Sequence, residues 1–325
     1  LFWAGSAGAV LACRLVAGFG MAQYAVARLA YIAGAVRPAG RGRALAVLGG
    51  VFRLGRFAGP MVGGALAARY GLRAAFPVFG CVCAVAWLSV AAFVRTAHAA
   101  PSSVPGGARP APQPLDSGAP GTPGHSLHVF LSMLKGNAHV LAPAGAGYLF
   151  SQMIRAGRAI VIPLYAADVL GLDVGAIGLL VGIASAVEAS VFPVAGLIMD
   201  RLGRKVAIVP CFTIQGLVML LLPLAGGFAG LLAVAATMGF ANGLGSGVMM
   251  TVGADLAPPD SRGEFLGVWR LVGDAGGSGA PLVVGAIADL LALPAAAVVI
   301  AGAGLIAAAI FVFLVPETLK RPRPA

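Results

Sequence analysis

Nine ionisable side chains fall inside stretches of this sequence that are otherwise apolar: Arg14, Arg28, Arg53, Arg56, Arg155, Arg158, Glu188, Arg270 and Asp274. On insertion scales a charge at the centre of a bilayer costs roughly 2.5–3.5 kcal/mol, so a residue of this kind is a functional candidate by default. A carboxylate in such a place can move a proton, because burial raises its pKa and a nearby cation lowers it. Asp274 has Arg270 one helical turn away and is the first candidate for proton coupling, against a static Arg270–Asp274 pair that only neutralises charge. Arg155 and Arg158 are three positions apart and share one helix face, where one reading is that they pair with acids on helices ahead of this sequence. Arg28 lies near the end of its run and is expected to snorkel. Seven arginines against two carboxylates is a lopsided tally. Either acids beyond this sequence balance it, or the site favours anionic or zwitterionic cargo.

The elements that position these charges are membrane spans. The chain is 59% hydrophobic and 10% charged, with a mean hydropathy of +0.95. A soluble domain carries roughly 25% charged residues. Runs of about 20 apolar residues, the length that crosses a bilayer, predict nine spans at 8–32, 45–67, 74–95, 142–166, 175–198, 205–225, 229–254, 264–289 and 294–315. The loops on one side hold thirteen Lys and Arg residues and the opposite loops only Arg69 and Arg73, which sets the thirteen on the cytoplasmic side. The net charge of +11 is thereby explained by topology and needs no nucleic acid partner. Cys13, Cys81, Cys83 and Cys211 all sit in apolar runs and read as small fillers. With no nucleophile–base pair, metal cluster or phosphate-binding loop, neither an enzyme nor a metal or cofactor is expected. Residues 101–124, rich in Pro, Gly and Ser, predict a disordered cytoplasmic linker, and 126–135 a short surface helix.

The chain also repeats itself. Residues 41–67 recur at 262–288 without a gap, so that Arg41-Gly42, Gly55, Pro60, Val62 and Gly64 return as Arg262-Gly263, Gly276, Pro281, Val283 and Gly285. Two similar halves are a transporter architecture. The partners of residues 140–220 would fall ahead of Leu1, so the expectation is a fragment that lacks part of its first half.

Three motifs are similar to those of the major facilitator superfamily. Gly196-Leu-Ile-Met-Asp200-Arg201-Leu-Gly203-Arg204-Lys205 resembles its GxxxDRxGRK cytoplasmic loop, Gly55-Arg-Phe-Ala-Gly59-Pro60-Met-Val-Gly63-Gly64 its antiporter motif, and Val315-Pro316-Glu317-Thr318 its usual ending. The antiporter pattern departs from the family at Ala46, where a glycine is usual. Arg14-x-x-x-Gly18 is similar to a further motif with a buried arginine, but Ala17 replaces its glutamine. Gly55, Gly59 and Gly63, spaced by four, offer a face for close helix approach, and Pro60 can bend the helix. The loop motif either latches one conformation or is a plain positive-inside loop.

The resemblance implies an all-α membrane protein with the major facilitator fold, two pseudo-symmetric six-helix halves of which the first three helices are not in the sequence. Residues 1–95 would then hold helices four to six, 96–140 the cytoplasmic linker and 141–325 helices seven to twelve. It implies that helices four, seven and ten line a central cavity, which would place Arg155 and Arg158 near substrate. It also implies that helix five packs beside helix eight. Arg56 and Glu188 each lie twelve residues from a cytoplasmic helix end, roughly 18 Å deep at about 1.5 Å per residue, so Glu188 is expected to pair with Arg56 or Arg53. The implied activity is proton-coupled export of drug-like or amphipathic small molecules by a monomer in the lipid bilayer of the bacterial cytoplasmic membrane. Uptake of a small organic anion by symport, and a sensor or scaffold that does not transport, stay open as alternatives.

Overall fold

A computed structural model of the chain describes residues 6–35, 38–93 and 135–319, with ten α-helices and no strand among them. They are α1 (Ala7–Ala35), α2 (Pro38–Tyr70), α3 (Ala75–Phe93), α4 (Ala138–Leu164), α5 (Val174–Arg201), α6 (Arg204–Leu220), α7 (Gly227–Leu244), α8 (Val248–Leu256), α9 (Arg262–Leu290) and α10 (Leu293–Phe313). The all-α membrane fold expected from the sequence is present. The expected linker and the short surface helix after it fall outside the described residues, apart from Lys135.

Where they are described, the predicted spans fall on helix, yet among the described residues six segments are long and apolar enough to cross a bilayer by length and composition. α2 carries Arg53 and Arg56 along its length, α4 carries Arg155 and Arg158, and α6 has 17 residues. The span expected at 229–254 is a broken helix. It runs as α7, turns at Gly245-Ser246-Gly247 with Gly247 at φ 81°, and resumes as α8. Only glycine takes that left-handed backbone at little steric cost.

From α4 onward the helices form one bundle. α4 lies between α9 and α10, α10 packs on α6, α6 on α7, and α7 on α5. Small residues set these distances. A Cβ on Gly276 of α9 would strike the Leu149 backbone of α4, and one on Gly157 of α4 would strike Ile300 of α10. This is how helices associate where lipid removes the hydrophobic drive between them. The core centres on Trp269, whose ring stacks on Tyr148 at 4.7 Å and whose indole N–H donates to the Met249 carbonyl at 3.0 Å.

The earlier helices join this bundle through α2, which packs on α5 as the resemblance implies; α1 and α3 lean on α2 with their described side chains largely exposed. The face of α2 that makes the contact differs from the expected one. Gly55, Gly59 and Gly63 meet nothing within 4 Å. The contact stripe is Phe57, Pro60, Met61 and Gly64, against Gly175, Gly178 and Gly182 of α5. Gly64 and Gly178 approach so closely that a Cβ on the first would lie 2.9 Å from the Cα of the second. Spacings of three and four alternate along this stripe and follow a 3.6-residue turn, whereas a run of strict fours drifts around the helix. Gly276, the repeat partner of Gly55, does pack against a helix.

Candidate charged cavity between α2, α4 and α5

α5 starts sharply because Asp173 Oδ1 accepts hydrogen bonds from the Gly175 and Ala176 amides at 2.8 and 3.0 Å, a side-chain cap. Fourteen residues into the helix its apolar run is interrupted by Glu188. On α4, Arg158 points at the same place. Its Nη2 donates to Glu188 Oε2 at 2.7 Å, with the two side chains 11% and 20% exposed. The expected partners of Glu188 were Arg56 and Arg53, so this is a correction. Both are arginines on α2, the helix that packs on α5; α4 does not pack closely on α5, but the long Arg158 side chain reaches across to it and makes the direct contact. Arg56 lies beside the pair without an ion-pair contact, and the Arg53 side chain falls outside the described residues.

Arg56, Arg158, Ser185 and Glu188 line a cavity of about 90 Å³ whose remaining walls are apolar, among them Ile162, Leu180 and Ala235. Asn242 of α7 reaches the Glu188 carboxylate from the far side. The pair leaves polar capacity unused. Arg158 Nε and Asn242 Oδ1 are buried without a hydrogen-bond partner. A guanidinium presents five N–H donors, so Arg158 has donors left over once the single contact to Glu188 is made.

Arg155, one turn earlier, takes a different role from its neighbour. Its Nη2 donates to the Gly245 carbonyl at 2.8 Å, at the broken end of α7, and its guanidinium lies 5.2 Å from the centre of the Phe212 ring. A cation at a helix C-terminus meets carbonyls that have no helical donor, which favours this placement. Gln152, Cys211 and Gln215 complete that second polar cluster. The shared face expected of Arg155 and Arg158 therefore divides between two neighbouring helices, and only Arg158 lines the cavity.

Three other expected charges are not buried. α9 turns Phe265, Trp269, Gly273, Gly276 and Ala280 inward, a stripe that leaves Arg270 and Asp274 on the opposite face, 61% and 65% exposed. Their nearest approach is 3.7 Å, a loose pair within one helix. Arg14 is exposed on α1, where no described element covers that face.

The loop motif builds a second polar assembly. Gly203 sits at φ 124°, and a Cβ there would come within 2.6 Å of Glu317 Oε2, so glycine is required for both backbone and space. The turn aims the first amides of α6 at the chain's end. Arg204 N and Lys205 N each donate to the Glu317 carboxylate at 2.9 Å, which meets unpaired donors and the positive pole of the helix together. The Leu319 amide donates to the same carboxylate. Burial pushes the Glu317 pKa up, but these backbone donors outweigh it and hold the carboxyl below the ordinary carboxylate range. Arg204, only 12% exposed, donates to the Met199 carbonyl and to Asp255 Oδ2 at 3.1 Å, while Asp200, 77% exposed, approaches it at 3.4 Å. Thr318 donates to the same Asp255 oxygen at 3.0 Å, and Lys205 Nζ to the Val312 carbonyl at 2.9 Å. Arg201 and Gly196 are on the helix leading into this turn. The roles of Asp255 and Asn242 were not foreseen from sequence, and no local spacing marks either.

The family model described as Major Facilitator Superfamily matches residues 1–150 and again 144–325. No curated protein matches the chain. Among solved structures, a POT family transporter in complex with a thioalcohol-conjugated peptide is 14% identical, over 57% of this chain and 44% of that one, with a TM-score of 0.46. A POT family transporter in complex with 5-aminolevulinic acid is 15% identical, over 58% and 45%, with a TM-score of 0.47. The chain thus spans less than half the length of these proteins. The two family matches between them run from the first residue to the last, and the chain belongs to the major facilitator superfamily.

Proposed function

We propose that the chain is part of a proton-coupled secondary active transporter, working by alternating access in the bacterial cytoplasmic membrane. The observation that carries the reading is the cavity where Arg56 of one helix group faces Arg158 and Glu188 of another. A carboxylate at such a junction can trade a proton against an ion pair, and its charge state then bears on how the two groups sit. We assign proton coupling to Glu188 in preference to Asp274, because Asp274 lies on an exposed face away from the cavity.

Two cargo classes compete. The antiporter-like motif Gly55, Gly59, Pro60, Gly63 and Gly64 favours export of drug-like or amphipathic compounds. Uptake of a small organic anion is favoured by the two arginines at the cavity. In proteoliposomes with an imposed pH gradient, flux of a lipophilic fluorescent cation and of radiolabelled benzoate separates the two. Glu188→Gln is expected to abolish gradient-driven flux and Asp274→Asn to preserve it. The reverse pattern would return the coupling role to Asp274, and no flux of any probe would argue for a sensor or scaffold.

A further inference from the structure

We propose that Arg158 and Arg56 form a binding site for the acid group of an anionic cargo, and that Glu188 is the internal anion which occupies Arg158 when cargo is absent. This rests on the transporter reading, through the assignment of this cavity to cargo, and adds the chemical class that the cavity selects.

Four observations converge. Glu188 holds Arg158 through a single donor and a single acceptor, whereas a carboxylate in a guanidinium fork can take two parallel bonds. Arg158 Nε is buried and has no partner, so an approaching acid meets a donor that the resting pair does not use. Arg56 lines the same cavity from α2. The local charge, counting Arg158, Arg56 and Glu188, is net positive, and Arg155 on the next turn of α4 adds to it; Asn242 and Ser185 are the neutral polar neighbours.

Size and lining narrow the class further. About 90 Å³ holds an acid group, far less than the roughly 300–1,000 Å³ of drug-sized pockets. The cavity is partly open, so the body of the anion lies at its mouth. The walls are Ala159, Ile162, Pro163, Leu180, Val181 and Ala235. A compact organic anion with an apolar body fits them; a polyanion or a sugar does not. Because Arg56 belongs to α2 while Arg158 belongs to α4, an anion held by both ties the two helix groups together. On release, Glu188 takes Arg158 back, and the buried guanidinium is never left without a counter-charge.

The test is equilibrium binding to the purified chain in detergent micelles, by dialysis with radiolabelled benzoate and its neutral isostere benzamide. Wild type is expected to favour benzoate. Glu188→Gln removes the competitor at nearly constant shape and is expected to tighten benzoate binding about tenfold, the scale of one charge-assisted hydrogen bond, with benzamide unchanged. Arg158→Gln is expected to abolish the preference. Arg56 is exposed, so Arg56→Gln tests the same site without disturbing the fold, and a several-fold loss is expected. Benzoate binding that Arg56→Gln leaves unchanged, or that Glu188→Gln weakens, overturns the proposal. Flux and binding are read separately: the expected binding pattern without flux sinks the transporter reading alone, and flux with binding indifferent to these variants sinks this proposal alone.

Discussion

Arg158 and Glu188 stand thirty positions apart in the chain and 2.7 Å apart in space, with one guanidinium donor on one carboxylate oxygen. Both side chains are largely buried, so neither can be removed quietly. Taking away one partner of a buried pair costs about 3–5 kcal/mol, because the other charge stays behind without compensation. Glu188→Ala is therefore expected to lower the unfolding midpoint in detergent strongly. The double variant Arg158→Met with Glu188→Leu is expected to recover most of that loss. A double variant no better than Glu188→Ala would mean that the pair is not the source of the effect.

The Glu317 cap makes a pH-dependent contribution whose sign is set by its depressed pKa. Its stabilisation is present in full above the unfolded glutamate value of about 4.3 and is lost as pH falls through the lower folded value. Glu317→Gln is expected to destabilise by on the order of 1 kcal/mol at neutral pH, the usual scale of a helix cap. The difference between the variant and wild type should close on acidification below about pH 4. Thermal unfolding across that range checks it, and a gap that stays constant in acid would assign the effect to something other than the carboxylate charge.

Arg204 bridges the loop motif to Asp255 at the end of α8. Neighbours in one network couple by about 0.5–3 kcal/mol. A cycle of Arg204→Gln, Asp255→Asn and their combination is expected to give a coupling of about 1 kcal/mol, since Asp255 is partly solvated. Asp200→Asn, at a carboxylate mostly in solvent, is expected to change unfolding by less than about 0.5 kcal/mol. Additive effects at Arg204 and Asp255 would break the link.

The two faces of α2 are expected to respond differently to one methyl group. Gly64→Ala places a Cβ against the Gly178 backbone and should cost about 1–3 kcal/mol by overpacking. Gly59→Ala meets open space and should be neutral or slightly stabilising in its effect on unfolding, as alanine is the better helix former. Equal effects from the two substitutions would contradict the packing face described for α2.

The broad architecture was readable because its causes are local. Apolar runs of bilayer length specify helices wherever they occur, since backbone groups in lipid must be satisfied within their own segment. The charges around Gly203 marked a short loop between two spans, and a tight turn at Gly203 stands there. The repeat of residues 41–67 at 262–288 lands on α2 and α9, each with its internal proline. The depth estimate brought Glu188 and Arg56 to one cavity, because rise per residue is a property of any helix.

What local causes left open is which way each helix faces. An arginine one turn from another shares its face in sequence, yet Arg155 turned to the broken end of α7 and Arg158 to Glu188, because each long side chain reaches a different helix across the bundle. Asp274 sits near the middle of its span, but the Phe265–Trp269–Gly273 stripe claimed the inside of α9 and sent Asp274 out. Of the motif's residues, Gly55, Gly59 and Gly63 face open space, while Pro60 and Gly64 make the contact with α5. The helices and their order could be read from sequence alone, because each is a property of a single segment. Only the tertiary structure decided the partners, because a partner depends on the rotation and separation of two helices far apart in the chain, and small-residue packing across the whole bundle sets both.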